Sequence, residues 1–242
     1  MLRICGWIGA LLLSTAAFAE ETLRVGYFDL PPHAQFVQGQ HSGAALAYFD
    51  LIAKQMGVNK VIYTQLPLSR LLKDQKIDLI LYLGKTPERE KQLRFSRQAW
   101  LKMQGTLTVK SAGAIQRIQS KDDLAGLSIG VWQDGYRSPL IMQSQAHLDL
   151  MAGDEVVRRS LQKVVLGRMD GFYSPEASSV QQEMRRLGLN EQLRVLNLPE
   201  PAVALCAAFR PAAVQYLPRY EQALEKLSRT LPYSEFLRTR PR

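Results

Sequence analysis

The fourteen residues Ile77–Glu90, IDLILYLGKTPERE, change their grammar halfway. IDLILYL is a short apolar run of the kind that forms a buried strand. After Gly84 and Lys85, Thr86 has the character of an N-cap, Pro87 of a first helical residue and Glu88 of an acid that complements the helix dipole. A buried strand running straight into a capped helix is the unit from which α/β sheets are built. One residue breaks the pattern. Arg89 puts a cation into the first helical turn, where backbone N–H groups favour an anion.

The same alternation extends in both directions. Upstream, LRVGYF (Leu23–Phe28) reads as a strand, and SGAALAYFDLIAKQMG (Ser42–Gly57) as a helix with Ser42 near its N-cap, Leu46, Phe49, Ile52 and Met56 on one face, and Gly57 past its end. KVIYTQL follows as a strand, then a short helix from about Leu68 to Lys73. Downstream, QGTLTVK is a strand. After Lys110 the order restarts with the strand SIGVWQD, a helix from about Gly153 to Leu166, the strand MDGFYS and a helix from Pro175 to Leu187 closed by Gly188. RVLNL, the strand AVALCAAF and two helical segments end the chain. QKIDLIL and GRMDGFY each set a basic residue, an apolar residue and an aspartate before a strand, which points to two similarly built lobes. The expected fold is α/β: two lobes, each a mainly parallel sheet flanked by helices, with 20–110 plus 201–242 in one and 111–200 in the other.

Residues 1–19, MLRICGWIGALLLSTAAFA, have a basic start, an apolar run and a small-residue ending, the form of a secretory signal peptide. The run is shorter than the roughly 20 residues that span a bilayer. The expected product is therefore periplasmic and unanchored. Cys5 leaves with this segment, so Cys206 would be the only thiol of the mature chain, buried among apolar neighbours. Lys and Arg outnumber Asp and Glu by 31 to 22, but the excess is spread along the chain and forms no basic stripe of the nucleic-acid-binding kind. The excess reads as a solvated basic surface, with attraction to anionic ligands or to an anionic envelope surface as the alternative.

The spacing of His33, His41 and His147 is not that of a zinc site, and the chain has no G-x-S-x-G elbow, phosphate loop or dinucleotide fingerprint. No metal or cofactor is expected. What remains is a set of residues at strand C-termini, where α/β sheets bind ligands. Tyr27, Asp29 and His33 follow the first strand; Tyr82, Gly84, Thr86 and Arg89 follow IDLIL; Trp132, Gln133, Asp134 and Tyr136 follow SIGV; Tyr173, Ser174 and Glu176 follow MDGF. All four groups would face one cleft. There Arg89 has a use, because a guanidinium beside a helix N-terminus can clamp a carboxylate through two hydrogen bonds.

From Leu23 to Leu237 these segments resemble, in order, the extracellular solute-binding proteins of family 3, the amino-acid-type periplasmic binding proteins of ABC importers. KTPEREKQLRFS is the most specific piece of the match. The resemblance implies a type II fold of two lobes joined by two crossing strands, and a ligand carboxylate held by Arg89. LPLSR is similar to a variant of shorter members and adds Arg70 as a second candidate. The residues also depart from the family pattern. Ala45 and Ala47 stand where an acidic pair is usual, His33 where an aromatic is frequent, and Gly84 where Ser or Thr is usual. Pro175 replaces the aspartate that takes the amino group of an α-amino acid, so either Glu176 or Asp134 substitutes, or the ligand is no ordinary amino acid.

The expected function is thus non-enzymatic binding of a small anionic or zwitterionic solute by a monomer, for delivery to an ABC permease. Two alternatives share the scaffold: a periplasmic sensor acting on a membrane partner, and a small-acid dehydratase using Glu176 or His33 beside Arg89.

Overall fold

The computed structural model describes residues 21–239; the leader read at residues 1–19 lies outside them. The chain runs through β1 (Thr22–Tyr27), the hairpin β2 (Gln35–Val37) and β3 (Gln40–Ser42), α1 (Ala44–Met56), β4 (Lys60–Gln65), α2 (Leu68–Leu71) and β5 (Leu79–Gly84). It continues with α3 (Pro87–Gln92), β6 (Arg94–Phe95), β7 (Leu101–Met103), β8 (Thr106–Lys110), β9 (Ser128–Trp132), α4 (Pro139–Gln143), β10 (His147–Met151) and α5 (Val156–Val165). Last come β11 (Gly171–Ser174), α6 (Ser178–Leu187), β12 (Leu193–Asn197), β13 (Val203–Phe209), α7 (Leu217–Thr230) and α8 (Tyr233–Thr239).

Two sheets organise these elements. The first has the order β4-β1-β5-β13-β6, with β7 also paired to β13; the second has the order β10-β9-β11-β8-β12. Each sheet is mixed. Pairing is parallel around β1 and β9, and antiparallel where β13 and β8 join. The expectation of mainly parallel sheets holds only for the strand–helix–strand halves, because a strand arriving from the other lobe needs no crossover helix and can enter antiparallel. Thr106–Lys110, assigned from the sequence to the first lobe, pairs with β11 and β12 in the second sheet. The chain therefore passes between sheets at Gln104-Gly105, and returns over residues 198–202. The two passages are tied together: Gln104 Nε2 donates to the carbonyls of Leu198 and Glu200, both at 2.9 Å, and Leu198 N–H donates to Gly105 O at 2.9 Å.

Apolar cores cover both faces of each sheet. In the first lobe Tyr48, Phe49 and Ile52 of α1 meet Tyr220 and Leu224 of α7 on one face, while Leu71, Ile77, Ile80 and Ala208 pack on the other. Ile129 and Val131 in one cluster, and Leu161, Phe172 and Val180 in another, fill the second lobe. Helix α1 begins one residue later than its sequence suggests. Gly43, at φ 129°, is the N-cap, and a Cβ there would lie 2.3 Å from His33 O. The loop carbonyls of Pro32 and His33 accept the N–H groups of Ala44 and Ala45 at 3.2 and 2.7 Å. They satisfy two of the four orphan donors of the helix end.

The cleft between the lobes as candidate binding site

Helix α3 starts as its sequence dictates, with Thr86 Oγ1 accepting the Arg89 N–H at 3.3 Å and Pro87 in the first turn. This cap fixes where the Arg89 side chain leaves the helix. The half-buried guanidinium reaches back to Gly84 O, donating at 2.7 Å, and across the cleft to Asp134 O in the second lobe. Burial pulls its pKa down from the usual arginine value. Asp134 offsets this, and Arg137 on the facing lobe pulls the same way as burial. Among the described residues Arg89 is the one cation of the cleft lining, and an anion beside it would offset the influence of Arg137.

Around Arg89 the cleft is lined by Phe28, Leu30, Leu68, Leu83, Gly84, Met103, Trp132, Gly135, Tyr136, Pro175 and Leu205. No acidic side chain is among them. Phe28 and Trp132 meet edge to face across the cleft with ring centroids 5.8 Å apart. Tyr136 lies on the backbone of Gly84 so closely that a Cβ at residue 84 would come within 2.8 Å of its ring. With the rings in contact, the cavity offers about 30 Å³ to water-sized occupants, space for about two or three waters.

The sequence-predicted residues divide into three groups. Arg89, Gly84, Trp132 and Tyr136 line the cleft, and Thr86 and Asp134 position Arg89, the latter through its carbonyl. Tyr82 stands behind the lining: its hydroxyl donates to Phe28 O at 2.5 Å and its ring packs edge-on against Phe28. The others lie elsewhere. Tyr27 is in the core of the first lobe, donating to Gln35 O at 3.1 Å and meeting His41 Nδ1 at 2.8 Å. Gln133 is exposed, its N–H given to Met151 O at 2.8 Å. Arg70 is exposed on α2, outside the lining. Tyr173 and Ser174 are buried outside the lining, Tyr173 in the core of the second lobe, and Thr106 Oγ1 donates to Ser174 O at 3.3 Å. Asp29 is half-buried with an unpartnered Oδ1, and burial raises its pKa against the opposing Phe36 N–H.

His33 and Glu176 are almost fully buried, at 4% and 3% exposure, and they are joined to each other through Ser178 rather than to Arg89. Glu176 is not among the residues that line the cleft around Arg89. Its carboxylate turns back to α6, where Ser179 N–H donates to its two oxygens at 2.9 and 3.1 Å. Pro175 presents its ring to the cleft instead. The sequence reading missed the apolar lining residues from α2, β7 and β13, whose only signal was apolarity, the same signal that a core residue gives. It also missed Arg137, which follows the second lobe's cleft loop and could have been found by asking which other cation sits at a strand C-terminus.

Comparison with known proteins bears on the fold. An ancestral arginine-binding protein, described bound to glutamine, superposes with a TM-score of 0.73 at 21% identity, over 90% of this chain and 96% of that one. A mutant of the arginine-binding protein ArgBP from T. maritima gives 0.74 at 18% identity, over 89% and 93%. The B. pertussis BvgS periplasmic domain gives 0.73 at 17%, over 89% of this chain and 42% of that one. At such identities the likeness establishes the two-lobed fold alone. None of the curated proteins matches the chain. The model of the bacterial extracellular solute-binding proteins, family 3, does match, over residues 23–238, and the chain belongs to that family.

Proposed function

We propose that the protein binds a small organic anion with an apolar body in the cleft between its lobes, as an exported solute receptor that delivers to an ABC importer. The observation that carries this reading is the lining itself: one arginine, two glycines, and otherwise apolar and aromatic side chains without a carboxylate. Such a site can hold an anionic head by a planar fork and bury an apolar remainder. It supplies no acidic partner for an α-ammonium, and loss of a charge-assisted hydrogen bond costs about 1.5–3 kcal/mol. The common L-amino acids are therefore expected to bind weakly. The reading of a periplasmic sensor uses the same cleft, and the fold likeness to the BvgS domain is compatible with it; neighbouring genes for a permease or for a sensor kinase separate the two.

The test is mass spectrometry of solute carried through native purification, followed by calorimetry of that solute on wild type, Arg89→Ala and Arg89→Lys. Truncation of a desolvated charged partner costs about 2–5 kcal/mol, so Arg89→Ala should lose roughly 30- to 5,000-fold in affinity. Lysine should restore part of the loss, because a point charge cannot reproduce the fork. Full affinity in Arg89→Ala, or submicromolar binding of a common L-amino acid, would overturn the reading.

A further inference from the structure

On the side of the interlobe contact away from Arg89, four polar side chains run in a line from one lobe to the other. Tyr233 Oη of α8 lies 2.6 Å from His33 Nδ1, and His33 Nε2 lies 3.0 Å from Ser178 Oγ. Ser178 Oγ in turn donates to a Glu176 oxygen. The Ser179 N–H and hydroxyl complete the carboxylate. Tyr233 and His33 belong to the first lobe, Ser178 and Glu176 to the second. The His33–Ser178 contact is thus a hydrogen bond between lobes made by two side chains, and one partner is an imidazole whose tautomer can respond.

Proton counting fixes the direction of this line. A hydroxyl has a single proton. With Glu176 ionised, Ser178 gives that proton to the carboxylate and can only accept from His33, so Nε2 must carry the imidazole proton and Nδ1 must accept from the Tyr233 hydroxyl. With a neutral, proton-bearing group at residue 176, the donor role passes to that group; Ser178 then donates to Nε2 and the imidazole proton moves to Nδ1, with Tyr233 accepting. Both arrangements keep the Tyr233–His33, His33–Ser178 and Ser178–Glu176 contacts as hydrogen bonds.

We propose that His33, Ser178 and Glu176 are positioning residues for solute retention: a latch across the closed lobes in which the charge at Glu176, in one lobe, selects the tautomer of His33, in the other. The proposal rests on the reading of this protein as a closing receptor, but its test uses no solute. Burial keeps His33 neutral, its pKa lowered to about 4, so a tautomer exists throughout the useful range. Burial raises Glu176 to about 7 against the pull of the Ser178 and Ser179 hydrogen bonds, so its charge changes within that range. The other titratable groups packed around the line are Tyr82 on β5 and Tyr48 on α1, with Asp29 and Tyr27 acting on Tyr82 and the exposed Lys102 at the rim of the same opening. Burial holds Tyr82 and Tyr48 well above neutral pH, and Asp29 makes no hydrogen bond to the line.

Two measurements on the full chain test this. The first reads the His33 tautomer by long-range ¹H–¹⁵N correlation at pH 8.5. Wild type should carry its proton on Nε2 and Glu176→Gln on Nδ1, and in wild type the switch should titrate with Glu176. The second reads the interlobe distance between spin labels at Lys54→Cys and Arg168→Cys. Ser178→Ala should raise the wide-separation population about fivefold, the weight of one net hydrogen bond, and Ser178→Thr, which keeps the hydroxyl, should restore it. An unchanged tautomer in Glu176→Gln, or a Ser178→Ala protein with wild-type separations, would overturn the latch. Neither outcome depends on which solute binds, so failure of the anion reading leaves these results standing.

Discussion

At the scale of single residues, the arginine in a helix's first turn is explained by where its side chain ends. Arg89 sends its guanidinium to the carbonyls of Gly84 and Asp134, away from the N–H groups that its charge would oppose. Gly84 is the complementary residue. The family pattern favours Ser or Thr there, and from sequence the glycine reads only as a missing hydroxyl. In the fold it is the surface on which Tyr136 of the other lobe rests, with Tyr136 Cβ and ring atoms 2.8 to 3.0 Å from where a Cβ would be. Since the neighbour is a ring wedged between lobes, a methyl group cannot be absorbed by a local side-chain swing alone. Gly84→Ala is expected to hold the lobes apart, weakening solute binding while leaving each lobe folded, because strand β5 tolerates alanine. Scattering that gave an unchanged radius of gyration, with unchanged affinity, would contradict this.

At the scale of elements, the echo between QKIDLIL and GRMDGFY proves to be a structural repeat. Asp78 Oδ2 accepts the Arg24 N–H at 2.8 Å, just before β5, and Asp170 Oδ2 accepts the Ser128 N–H at 2.8 Å, just before β11. In each lobe the aspartate pins the start of one parallel strand to its neighbour, and its own N–H goes to that neighbour's carbonyl at 2.9 or 2.8 Å. Neither belongs to the cleft. Replacing Asp170 by Ala should therefore cost about 0.5–1.5 kcal/mol, the net worth of one intramolecular hydrogen bond whose freed donor water can reach, with little change in solute affinity; Asp78→Ala should do the same in the other lobe. Chemical denaturation with parallel calorimetry checks both halves of that statement.

What the sequence made legible follows the strength of the local signal. Buried strands such as IDLIL and capped helices such as α3 could be read because burial and capping each leave a residue pattern. The hairpin Gln35–Ser42 could not, since its strands are three residues long and mostly exposed, and its turn rests on positive φ at Gln38 and Gly39. Strand β10 and helix α4 bury one residue each, Met151 and Ile141, and so leave no apolar pattern to read. Helix α6 starts at Ser178, later than Pro175, because Glu176 folds back to accept the Ser179 N–H. The site was legible where it depends on charge, at Arg89, and hidden where it depends on apolar shape.

At the scale of the whole molecule, a solute bound in the cleft as proposed would require the lobes to part for its entry, since Phe28, Trp132 and Tyr136 leave so little room between them. The passages through Gln104-Gly105 and residues 198–202, tied by the Gln104 amide, are the places where that motion can turn without breaking either sheet. The same geometry determines how stability responds to pH. Glu176 has its pKa raised from an ordinary 4.5 to about 7, mainly by burial. Its contribution to the folded, closed state is present in full below 4.5 and is lost as pH rises through 7. His33 is shifted the other way, from 6.5 to about 4, again by burial. Its contribution is present above 6.5 and is lost as pH falls toward 4. Each displacement corresponds to about 3 kcal/mol, and over their common window near pH 4.5–6.5 the two slopes have opposite signs and nearly equal size. Wild type should therefore show little pH dependence from this pair between pH 5 and 6.5. His33→Gln, leaving Glu176 alone, should gain stability as pH falls from 8 to 5; Glu176→Gln, leaving His33 alone, should lose it from 6.5 downward. Melting temperatures of the three proteins across pH 4.5–8 decide the matter. If both variants kept the wild-type profile, the burial of His33 and Glu176 would not be coupled to folding and closure in the way the geometry requires.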